Sequence, residues 1–104
     1  MSIGSQSGQS ILKAYARTPD HVVFRAFVAE TIILNLNTGK YHGVNPTGGR
    51  MLEVLVKVGS VEQAAVVLAE EYGRPLEEIQ EDLCTFCADL EERDLIILSD
   101  EPGG

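Results

Sequence analysis

Cys84-Thr85-Phe86-Cys87 is a stretch whose residue types and spacing could do chemistry, since a C-x-x-C can be a redox couple or half of a metal site. Redox couples use a helix N-terminus to stabilise the thiolate. These cysteines instead fall in the second half of an expected helix, beside its apolar stripe Leu76, Ile79, Leu83, Phe86 and Leu90. A thiol placed there behaves as a small hydrophobe. His21 and His42 are the only histidines, and two distant imidazoles do not complete the four-ligand set of structural zinc. Neither a metal nor a cofactor is expected.

His42 has no Ser, Cys or Asp motif beside it that suggests nucleophilic catalysis, so it reads as a rim histidine. Gly39, Gly43, Gly48 and Gly49 match neither G-x-x-x-x-G-K-S/T nor G-x-G-x-x-G. Their reading is geometric: Gly39 for a turn, Gly43 for close approach in a strand, Gly48 and Gly49 for tight packing at a helix start. The acids Glu77, Glu78, Glu81, Asp82, Asp89, Glu91 and Glu92 form a mostly solvated helix face. Asp82 and Asp89 lie on a flank that could border a groove. No catalytic constellation remains, and the sequence reads as a non-enzymatic binding domain.

The elements that must position these residues follow from length and pattern. The 104 residues suffice for one domain, and 44% hydrophobic with 23% charged residues is an ordinary soluble composition. A formal charge of -8 repels phosphate backbones, so no nucleic-acid partner is expected. No apolar run approaches a membrane span, and the N-terminus has neither a basic run nor an apolar h-region. The expectation is a cytoplasmic protein without a membrane partner.

Residues 1–18 read as a flexible N-terminal tail, although Ile11 to Ala16 could add a helical turn. Val22 to Val28 is β-branched and aromatic, and Thr31 to Leu36 alternates so that Ile32, Leu34 and Leu36 share a face. Asn37-Thr38-Gly39 predicts a tight turn, and a third strand starts at Lys40. Asn45-Pro46 gives an N-cap and a first-turn proline. The first helix then carries Met51, Leu52, Leu55 and Val58, and ends at Gly59.

Ser60 and Gln63 begin a second helix that buries Val61, Ala64, Ala65, Leu68 and Tyr72 and stops at Gly73. Pro75 opens the third. Leu95 to Leu98 follow as an extended wing or docking segment, and residues 99–104 read as frayed. The fold class is therefore α+β: a three-stranded antiparallel sheet followed by a three-helix bundle, with helices packed on the sheet's apolar face. The last two helices and their tight connection have a winged helix-turn-helix look.

Gly39-Lys40-Tyr41-His42-Gly43-Val44-Asn45-Pro46-Thr47-Gly48, Val61-Glu62-Gln63-Ala64-Ala65 and Leu90-Glu91-Glu92-Arg93-Asp94-Leu95-Ile96 together resemble the PqqD-like peptide chaperones, the RiPP recognition elements. The resemblance spans the domain expected at residues 19–98. It departs from the family pattern at Met51, where many members carry an aromatic, and at Gly43, where a larger residue is frequent.

The resemblance implies a free-standing protein that binds the leader of a ribosomally made precursor peptide by strand addition. The leader would add to Lys40, Tyr41, His42, Gly43 and Val44, with a second wall from Asp82, Phe86, Asp89, Leu90 and Arg93. Apolar or aromatic anchors are expected in it, with Lys or Arg to meet the acidic flank. The implied partner enzyme is the leader peptidase or cyclase of a lasso-peptide pathway. Chaperoning the pyrroloquinoline quinone precursor peptide is the alternative within the family, and a winged-helix DNA regulator is the alternative outside it. A monomer or weak dimer is expected, because an open edge strand can pair with itself.

Overall fold

A computed structural model describes residues 11–102 of the chain. Among the described residues eight elements follow one another: β1 (Tyr15–Arg17), β2 (Val22–Ala26), β3 (Thr31–Asn35), β4 (Tyr41–Val44), α1 (Pro46–Val58), α2 (Val61–Tyr72), α3 (Leu76–Glu92) and β5 (Ile97–Ser99). Strands β2, β3 and β4 form the antiparallel three-stranded sheet, in that order. The α+β class and the sheet-then-helices order match the sequence reading.

Local chemistry sets the boundaries. Gly39, at φ 76°, donates its N–H to the Asn35 carbonyl (2.8 Å), while Asn35 donates to the Lys40 carbonyl (2.9 Å). The Asn35 Oδ1 accepts from the N–H groups of Asn37 and Thr38, so one buried amide organises the whole turn. Asn45 caps α1 by accepting from the Gly48 N–H at 2.7 Å, with Pro46 in the first turn. Ser60 caps α2 through Gln63 N–H at 3.2 Å. Helix α3 ends in a Schellman turn: Leu95 donates to the Leu90 carbonyl (2.9 Å) and Asp94 to that of Glu91 (3.0 Å). Asp94 takes the left-handed position at φ 64°, a place usually held by glycine.

The core lies between the three helices and one face of the sheet. Leu52, Leu55, Val61, Leu68, Leu83, Leu90, Leu95 and Ile33 are almost fully buried, each contributing about 1.5–3 kcal/mol. Val54 joins them, whereas Tyr72 and Leu76, expected in the core, are each 40% exposed. Cys84 and Cys87 are buried as well, and desolvation raises both thiol pKa values.

The sheet face that meets the helices carries Thr31, Ile33 and Asn35, not the Ile32, Leu34 and Leu36 row. Thr31 is accommodated because Gly49 presents no side chain: a Cβ there would collide with the Thr31 hydroxyl. The other face leaves Val23 and Tyr41 exposed and Ile32 and Leu34 partly so.

The expected tail boundary at residue 18 falls in the wrong place. Ile11, Ala14 and Ala16 are buried, and β1 pairs antiparallel with β5, Ala16 lying opposite Leu98. Ala16 also donates to the Gly59 carbonyl (2.7 Å), and Val61 to that of Ala14 (3.1 Å). The segment expected as a wing or docking segment thus docks through a small second sheet, and Ser99, expected to fray, belongs to it. The remainder of the expected tail, residues 1–10, and residues 103–104 lie outside the described residues.

Candidate functional site

Strand β4 is an edge of its sheet. Its register places Thr31 opposite Val44, Ile32 opposite Gly43, Ile33 opposite His42 and Leu34 opposite Tyr41. The Asn35 N–H bond to the Lys40 carbonyl marks a hydrogen-bonded pair at the turn. Antiparallel alternation then makes Ile33–His42 and Thr31–Val44 the bonded pairs. The peptide groups of Tyr41 and Gly43 therefore face away from β3, towards the open side.

Side chains alternate in the same way. His42 and Val44 lie on the helix side and are half-buried, while Tyr41 and Gly43 lie on the outer face. Between β4 and α3 runs a groove lined by His42, Gly43, Val44, Asp89, Leu90, Arg93 and Leu95. Near Gly48, a Cβ built on that glycine would stand 3.4 Å from both Val44 Cβ and Phe86 Cε1, so strand and helix converge there. Leu90 and Leu95, buried and joined by the Schellman turn, form an apolar element of the groove. His21 steadies that turn from β2's side, its Nε2 lying 3.1 Å from Asp94 Oδ2.

Six of the residues expected at a binding site, His42, Gly43, Val44, Asp89, Leu90 and Arg93, therefore share one groove. Four do not line it: Phe86 lies beside Val44 where strand and helix converge at Gly48, outside the groove's lining, and the other three stand further off. Lys40 precedes β4, with its N–H held by Thr38 Oγ1 at 3.1 Å. Tyr41 is 69% exposed on the opposite face. Asp82 lies further back along α3, 3.5 Å from Arg74, whose pKa is raised by Glu78 and Asp82. Asp89 and Arg93 form their own pair, with Arg93 Nε 3.2 Å from both carboxylate oxygens. The flank expected to be acidic is thus largely neutralised by neighbouring arginines. Leu95 is the groove residue that site reasoning missed; the apolar Leu95–Leu98 run was its signal, but not its position.

Among the described residues no group of three or more His, Cys, Asp or Glu is placed to hold a metal, and no helix is long and apolar enough to cross a membrane. The thiols are poor nucleophiles: burial, with Cys84 and Glu91 nearby, pushes Cys87 up to about 12.

A family model described as coenzyme PQQ synthesis protein D (PqqD) matches residues 30–96. Two solved structures share the fold. The first, TbiB1 in complex with the TbiA(beta) leader peptide, is 26% identical with a TM-score of 0.70, over 77% of this chain and 93% of that one. The second, lasso peptide synthetase B1 complexed with the leader peptide, is 19% identical with a TM-score of 0.72, over 81% of this chain and 99% of that one. No curated protein matches the sequence.

Proposed function

The chain belongs to the PqqD family, and on that premise we propose that it binds the leader of a ribosomally synthesised precursor peptide and presents it to a maturation enzyme. The leader adds as a fourth strand beside β4 and places alternate side chains in the groove against α3. Main-chain bonds supply affinity and the groove supplies selectivity. The single observation that carries this reading is the open edge itself: the peptide groups of Tyr41 and Gly43 face away from β3, directly beside the groove between β4 and α3. Similarity to two leader-bound proteins, one of them a lasso peptide synthetase B1, is in keeping with the lasso-type reading.

The protein acts as an adaptor without catalysis of its own. Holding the leader raises the effective concentration of the attached core peptide at a leader peptidase or cyclase. Lys40, Tyr41, His42, Gly43 and Val44 form the docking edge; Phe86, Asp89, Leu90 and Arg93 form the second wall, with Asp82 at its far end. The family description favours one second reading, a chaperone of the pyrroloquinoline quinone precursor peptide, which uses the same edge and differs only in the peptide.

The test is a fluorescence anisotropy titration with a labelled synthetic leader, taken from any short precursor frame found next to this chain's gene. Saturable binding, competed by unlabelled leader and not by the core segment, is expected. A flat titration contradicts the proposal.

A further inference from the structure

The charges around the docking edge differ in whether they are already paired. Asp82 and Asp89, on the flank expected to attract a basic leader residue, are engaged by Arg74 and Arg93. Glu30 is different. It forms no ion pair among the described residues, and its side chain lies across the edge strand.

Its position follows from alternation. Thr31 points to the helices, so Glu30 and Ile32 point to the outer face. There the Glu30 carboxylate covers Gly43: a Cβ added to that glycine would stand 2.5 Å from Glu30 Oε1 and 3.4 Å from Cδ. The space that a β4 side chain would ordinarily occupy is filled by a carboxylate. Arg25 sits in the same cross-strand row, but at its far end, with Ile32 between it and Gly43.

A strand added beside β4 puts one residue directly opposite Gly43, with its side chain on the same outer face. Gly43 offers that side chain nothing to pack on, and Glu30 offers an unpaired negative charge. We propose that Glu30, seated over Gly43, is a specificity-determining residue that selects Lys or Arg at the leader position opposite Gly43, on the face away from the helices. This rests on the leader reading above. The basic residue expected in the leader therefore meets the sheet's outer face rather than α3. Because Glu30 is exposed, the preference is modest, about two- to fivefold in Kd, and it weakens as salt rises.

The test uses the same synthetic leader, with Lys and then Glu substituted at each position in turn, titrated against the wild-type chain, Glu30→Gln and Glu30→Lys at low and high salt. At one position Lys should bind the wild type about two- to fivefold more tightly than Glu, with the preference abolished in Glu30→Gln and reversed in Glu30→Lys. Leader binding with a charge preference that is the same in all three proteins overturns the role of Glu30 and leaves the leader reading standing. Failure of every peptide to bind the wild type overturns both.

Discussion

His42 lies opposite Ile33 in the β3–β4 register, and this pairing decides which peptide groups of the edge strand stay open. Proline separates the two sets. At Tyr41 it removes an outward N–H only, so Tyr41→Pro should keep stability within about 1 kcal/mol of wild type and weaken leader binding at least about tenfold. At His42 it removes an inward N–H and leaves the Ile33 carbonyl unpaired, costing about 1–3 kcal/mol. Urea unfolding and anisotropy titrations on both variants check this; Tyr41→Ala controls for loss of the ring.

Thr31 and Gly49 fix the distance between β3 and α1. Gly49→Ala would drive a methyl into the Thr31 hydroxyl and should destabilise the protein by about 1–3 kcal/mol. Adding Thr31→Ala should restore part of this, since the Thr31 Cβ itself stands 2.9 Å from the new methyl position. Chemical denaturation of the two single variants and the double variant measures the coupling.

Asp94 holds a left-handed backbone at φ 64° and an exposed pair with His21. Glycine relieves the first and forfeits the second, which is worth no more than about 1 kcal/mol. Asp94→Gly should therefore leave stability unchanged or raise it by up to about 1 kcal/mol, whereas Asp94→Val should lower it by about 1–2 kcal/mol. Urea midpoints distinguish the two directions. Because Leu95 follows this turn into the groove, Asp94→Val should also weaken leader binding.

Cys87 is raised from 9.0 to about 12 by burial. A folded-state pKa above the unfolded one means that the native state holds its proton longer. Stability is then unaffected below pH 9 and falls as pH rises from 9 towards 12, by at most about 1.4 kcal/mol per pH unit from this thiol. Thermal melts across that window should slope less steeply for Cys87→Ala than for wild type, although its absolute stability is lower. Iodoacetamide should label the native thiols far more slowly than the unfolded ones.

Much of the fold was legible because its punctuation is local. Asn45-Pro46, Ser60, Gly39 and Gly73 each announce a boundary through their own backbone chemistry, and the helices between them carry long apolar stripes. The β1–β5 pairing was not legible: three residues around Ala16 give no strand signal, and their partner is some eighty residues away. Alternation in β3 gave two faces but not their assignment. Ile32, Leu34 and Leu36 look like the inner row, yet Thr31 and Asn35 face inward, one against Gly49 and the other holding the turn. At the site, the β4 and α3 residues came from the family resemblance, and the fold brings six of them to one groove. The pairing of Asp82 and Asp89 with arginines, and the lodging of Glu30 over Gly43, depend on side-chain directions that spacing does not encode.

Amide hydrogen exchange at single-residue resolution, with and without saturating leader peptide, tests the docking edge most directly. In the free protein the Tyr41 and Gly43 amides should exchange much faster than that of His42, which is bonded into the ladder. On leader binding, Tyr41 and Gly43 should become protected while His42 changes little. If leader binds and these two amides remain unprotected, strand addition at β4 is contradicted.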